Sequence, residues 1–157
     1  MRTFGALAIA TLVACSASNG DATIDNTHDA CAPLALVSAN ASTIQLDGMA
    51  AAQSLWRDRG APALGLRAGS TLEVRFDFAA TAFRGLYDDE QGLIYINAEI
   101  TDPNTLAIVI AHELGHAFGL QHVPTSERLS LMNPANLTTP PTAEDQGALA
   151  ALWGDCN

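Results

Sequence analysis

Residues 112–122 read His-Glu-Leu-Gly-His-Ala-Phe-Gly-Leu-Gln-His, so three of the four histidines in the chain fall within eleven residues in the order HExxHxxGxxH. On an α-helix, residues four apart lie on one face about a turn apart. His112 and His116 therefore present two imidazoles to a common point. Gly119 tolerates positive φ and lets the chain leave the helix sharply, which allows His122 to return as a third imidazole. Three neutral imidazoles suit a borderline divalent metal, with one Zn²⁺ as the first candidate. Glu113 is one residue round from His112, close enough to reach a metal-bound water without ligating the metal itself. The fourth position stays open, as catalysis requires. A closed, merely structural site has no use for such a base.

The helix carrying this pattern has a clear start. Asp102 caps it, Pro103 takes the first helical position, and residues 106–111 are apolar on every side, which marks a buried helix. Upstream, residues 70–78 alternate, with Leu72, Val74, Phe76 and Phe78 on one side and Glu73, Arg75 and Asp77 on the other, the signature of a half-buried strand. Residues 93–97 read as another strand and residues 83–87 as a shorter one, the two separated by the acidic turn Asp88-Asp89-Glu90. A first strand falls at residues 33–37 or at 43–46. Asp47 is the apparent cap of a helix over residues 48–59, whose apolar face carries Met49, Ala52, Leu55 and Trp56 and which ends at Gly60 and Pro62.

With 157 residues and 48% hydrophobic content, the chain has the size and balance of one folded domain. Its net charge is −10 and every basic residue is arginine. That acidity argues against a nucleic-acid partner, which needs a basic face to neutralise phosphates.

The first residues stand apart from the fold. Arg2 precedes an apolar run over residues 4–14, too short to span a bilayer, and the run ends Leu12-Val13-Ala14-Cys15. This segment resembles the lipobox of bacterial lipoproteins, which implies a signal peptide over residues 1–14 and a lipidated Cys15. With Ser16 following, the resemblance points to the outer membrane or cell surface, and an ordinary cleaved signal would still mean secretion. Lipid on Cys15 would be the means of membrane attachment. Residues 15–30 are small, polar and aperiodic, and read as a flexible tether in which His28 is solvated. If Cys15 carries lipid, Cys31 and Cys156 remain as a pair whose bridge would tie the ends of the domain together. The rival role for Cys31 is an inhibitory thiolate on the metal.

The eleven-residue motif resembles the metzincin signature of zinc metallopeptidases. Ser130-Leu131-Met132-Asn133-Pro134 is similar to the family's Met-turn, with Met132 packing beneath the metal as support. Residues 141–154, with Thr142 as cap and Leu149, Leu152 and Trp153 at helical spacing, resemble the final helix of matrixin-like (matrix-metalloproteinase-like) catalytic domains. The resemblance implies an α+β, zincin-like fold over residues 31–157: a twisted, mostly parallel sheet with two packed helices, then a small C-terminal subdomain with the Met-turn and final helix. It implies His112, His116 and His122 as zinc ligands and Glu113 as the general base of a monomeric endopeptidase acting on protein or peptide substrates. A strand within residues 83–96 would form the upper edge of the cleft, and residues 133–140 would wall the primed-side pocket. Asn133 stands where some metzincins carry a metal-reaching tyrosine. The alternatives are a catalytically silent, zinc-stabilised binding or adhesion lipoprotein, and a zinc amidase acting on cell-wall peptides. Calcium support at Asp88–Glu90 is conceivable, although such turns are ordinarily just solvated.

Overall fold

The computed structural model describes residues 24–66, 68–78 and 83–156; the expected signal segment and Cys15 lie outside the described residues. Among the described residues the fold is α+β, with a mixed four-stranded sheet and three helices. In chain order the elements are β1 (Leu34–Val37), α1 (Thr43–Arg57), β2 (Ser70–Asp77), β3 (Gly85–Asp88), β4 (Leu93–Asn97), α2 (Pro103–Ala117) and α3 (Ala143–Trp153).

The strand order is β1-β2-β4-β3, with β1–β2 and β2–β4 parallel and β3–β4 antiparallel. Strand β3 is therefore an edge strand of the sheet. Of the two candidate first strands, residues 34–37 take that role. Residues 43–46 instead form the opening turn of α1, which begins before the expected residue 48 and is capped by Ser42 rather than Asp47. The reason is a capping box. The Gln45 backbone N–H donates to the Ser42 hydroxyl at 3.4 Å, and the Ser42 N–H donates to Gln45 Oε1 at 2.8 Å, so two orphan donors are satisfied together. The β2 ladder ends at the Asp77–Asn97 pair, and Phe78, expected on the apolar side, lies beyond it at 85% exposure.

The core lies between the sheet and the helices α1 and α2. Leu72 and Val74 from β2 and Ile94 and Ile96 from β4 are buried under the helices. Gly48 of α1 permits close approach, since a Cβ there would sit 2.8 Å from Leu106 of α2. Trp56 is fully buried, stacks edge-to-face on Phe118 at 5.8 Å and donates its indole N–H to the Ala111 carbonyl at 2.8 Å. Helix α1 is thereby locked to α2 immediately before His112.

Residues 24–30, expected as part of a flexible tether, are held against the domain. The His28 N–H donates to the Ala117 carbonyl at 2.7 Å, and Tyr87 donates its hydroxyl to the Asn26 carbonyl at 2.7 Å. Ala30 is buried, and His28 is half-buried rather than solvated. Cys31 and Cys156 form a disulfide across a separation of 125 residues. Closing so long a loop contributes up to about 5 kcal/mol in the chain-entropy account. The bridge also removes Cys31 from any role as a free thiolate.

Helix α3 starts as expected at Thr142, which forms a second capping box with Asp145. Leu149 is core and Trp153 is half-buried, donating its indole N–H to the Phe118 carbonyl at 2.8 Å. Leu152, expected in the core, is 54% exposed. Among the described residues, no helix is long and apolar enough to cross a membrane.

Candidate metal centre

Helix α2 is buried from Leu106 to Gly115, as its all-round apolar sequence requires. It ends at Phe118, and Gly119 adopts φ +91°, the left-handed conformation that favours glycine. The reversal has a second consequence. It places the Leu120 carbonyl 2.8 Å from His116 Nδ1. The Leu131 carbonyl lies 2.7 Å from His112 Nδ1. A carbonyl can only accept, so both rings carry their proton on Nδ1 and expose a bare Nε2.

Those bare nitrogens converge with His122. His122 Nε2 lies 3.1 Å from His112 Nε2 and 3.2 Å from His116 Nε2, and the three ligand atoms fit within 4.8 Å of one another. His112 is buried and the other two are half-buried. Burial lowers the pKa of all three: His112 falls to about 4 and His116 to about 3, with the neighbouring histidines adding to the effect in both. The lone pairs of His112 and His116 thus meet His122 Nε2 at short range, an arrangement that a cation relieves. Among the described residues this triad is the group arranged to hold a metal ion. The acidic turn is otherwise engaged: Asp88 accepts from the Gln91 N–H at 2.9 Å, and Asp89 from the Asp25 N–H at 2.9 Å.

In the metal-free protein these shifts set a pH dependence. A histidine whose folded pKa is depressed binds more protons unfolded, so its contribution to stability is lost as pH falls from about 6.5 toward the folded values. Thermal unfolding of chelator-treated protein should show Tm falling between pH 6.5 and pH 4.5, more steeply than in a His116→Asn variant. A profile no steeper than that of His116→Asn would contradict the burial of the triad.

Glu113 is buried beside the triad on the same helix. Its carboxylate accepts the Tyr87 backbone N–H from β3 at 2.9 Å, and burial raises its pKa to about 8. Gly85, also on β3, makes room for it, since a Cβ there would come within 2.7 Å of Glu113 Oε1. The edge strand and the acid are therefore in direct contact.

Beneath the helix runs a tight turn, residues 130–133. Met132 is 1% exposed, and a Cβ on Gly115 would meet its Sδ at 2.5 Å, so a glycine between His112 and His116 lets the methionine pack against α2. Asn133 staples the turn. Its amide donates to the Val123 and Arg128 carbonyls at 2.9 and 3.0 Å, and its Oδ1 accepts the Ser130 N–H at 3.0 Å. Asp145, in the first turn of α3, is fully buried and accepts the Leu131 N–H at 2.8 Å. The Thr142-x-x-Asp145 spacing signals a cap, but no sequence signal shows that the same carboxylate reaches residues 130 and 131.

No protein-family model matches the chain, and no curated protein matches it. Among solved structures, the fold is similar to the crystal structure of myroilysin, with a TM-score of 0.51 at 12% sequence identity, covering 82% of this chain and 86% of that one. At that identity the likeness is one of fold. The chain is thus an α+β protein of myroilysin-like fold, built around a three-histidine cluster able to hold a metal ion.

Proposed function

We propose that the protein is a zinc-dependent endopeptidase of the metzincin type, matrixin-like in its C-terminal part, with His112, His116 and His122 as ligands and Glu113 as general base. The observation that carries this reading is the approach of His122 Nε2 to 3.1 and 3.2 Å from the Nε2 atoms of His112 and His116, beside a buried glutamate. Ligands on a tetrahedral ion with bonds of about 2.0–2.1 Å stand about 3.3 Å apart, so the spacing fits zinc. When bound, zinc polarises the peptide carbonyl and lowers the pKa of water toward neutrality. Glu113 takes the proton of the attacking water and passes it to the departing amine.

The edge strand β3 lies beside Glu113, and extended peptides bind along it by strand addition, with residues 133–140 walling the primed-side pocket. Met132 is the Met-turn methionine and supports the metal centre by packing. The Cys31–Cys156 bridge fits an oxidising compartment outside the cytoplasm. Within this reading, lipid on Cys15 attaches a monomeric enzyme to the outer membrane or cell surface.

The test is metal content together with casein cleavage on the purified full chain. One zinc per chain is expected, with cleavage abolished by a chelator and restored by zinc. Stoichiometric zinc without cleavage of any peptide in a broad library would favour a silent binding protein, and a folded protein without affinity for zinc would overturn the proposal.

A further inference from the structure

The Leu131 carbonyl that orients His112 belongs to a peptide unit whose other end is also held. The N–H of the same unit, on Met132, donates to the Ser130 hydroxyl at 2.9 Å. The Ser130 hydroxyl in turn donates to Asp145 Oδ1 in a short hydrogen bond. His112 Nδ1–H, the Leu131–Met132 peptide, the Ser130 O–H and the Asp145 carboxylate therefore form one chain in which every donor points toward the acid. Ser130 and Asp145 are both fully buried. Bonds aligned head to tail in a low-dielectric interior polarise one another, and the negative charge at the end reinforces each link.

Metal-ligating histidines commonly give their second N–H to a carboxylate, which fixes the ring and raises its basicity. Here His112 gives that N–H to the Leu131 carbonyl instead. We infer that Asp145 is a positioning residue for the metal centre, acting on His112 at a distance through the Ser130 hydroxyl and the Leu131–Met132 peptide. This rests on the metal-centre reading and is independent of whether the protein cleaves peptides.

Asp145 also has a purely structural task. Its Oδ2 accepts the Thr142 N–H at 2.9 Å and the Thr142 hydroxyl at 3.0 Å, closing the cap of α3. The two tasks use different oxygens. Ser130→Ala cuts the chain to His112 while leaving the direct Asp145–Leu131 bond and the cap in place. Thr142→Ala weakens the cap and leaves the chain intact.

The experiment measures zinc affinity of the full chain by chelator competition. In the zinc-loaded protein it also follows the NMR resonance of the His112 Nδ1 proton. Ser130→Ala and Asp145→Asn should each weaken zinc binding about 10–100-fold and move that resonance upfield, as expected when a ligand loses its outer partner. Thr142→Ala should lower Tm while leaving affinity and resonance at wild-type values. Ser130→Ala carries the result alone if Asp145→Asn does not fold. Unchanged affinity and resonance in Ser130→Ala, or an equal loss in Thr142→Ala, would overturn the assignment while leaving the zinc site standing. Failure of the wild type to bind zinc would overturn both.

Discussion

Glu113→Gln should reduce peptide cleavage by roughly 10²–10⁴-fold, the range expected for loss of a positioned general base, while zinc stoichiometry stays at the wild-type value. Glutamine is nearly isosteric, and its amide oxygen can still accept the Tyr87 N–H that holds the carboxylate now. The effect should fall on kcat, since substrate binding along β3 does not need the proton acceptor. A second consequence follows from burial. The folded pKa of Glu113 is raised to about 8. Its contribution to stability is therefore fully present below the unfolded value near 4.5 and is lost as pH rises through the folded one. In the metal-free protein the substitution should accordingly be stabilising at pH 8 relative to wild type, by an amount that grows at up to about 1.4 kcal/mol per pH unit between the two values. Retained cleavage would remove Glu113 from the mechanism. Unchanged relative stability across pH 5–8 would contradict its burial.

Trp56→Ala carries the largest expected loss of stability. The side chain is fully buried, packs edge-to-face on Phe118 and holds the Ala111 carbonyl. Its ring also lies within 3.2 Å of where a Cβ on Gly115 would stand, so it fills space directly behind the histidine pair. Truncation to alanine at such sites costs about 3–5 kcal/mol, a large fraction of a typical domain's 5–15. Thermal unfolding should show Tm lowered by 10 °C or more, partly recovered by saturating zinc, which binds only the folded form. Trp56→Phe, which keeps most of the packing and drops the N–H, should cost about 1 kcal/mol. A loss below 1 kcal/mol in Trp56→Ala would place the indole elsewhere.

The strands and the buried helix were readable because their periods are local. Alternation over residues 70–77 and the Asp102-Pro103 start appear in the fold as β2 and the head of α2. The start of α1 differs from the expected one because two caps compete within a few residues. Asp47 matches a cap by residue type, but Ser42 and Gln45 satisfy two donors at once and the reciprocal pair wins. Phe78 and Leu152 have the phase of interior positions but are exposed. Phase tells which side of an element a residue occupies, and only the neighbouring elements decide whether that side is covered there. Residues 24–30 lack any periodic pattern, and what holds them is mainly backbone hydrogen bonding to Ala117 and Asp89 and the Tyr87 hydroxyl.

By itself the sequence determined the buried helix that carries His112, Glu113 and His116, and the glycine that turns the chain after it. These depend on residues within a few positions of one another, where helix geometry alone sets the spacing. The convergence of His122 with the other two, the contact of Glu113 with β3, and the path from Asp145 to His112 were decided by the tertiary structure. The partners there are backbone carbonyls and N–H groups from Leu120, Leu131, Met132 and Tyr87. Every residue carries such groups, so their identity leaves no mark on the sequence, and only packing selects which of them face the site.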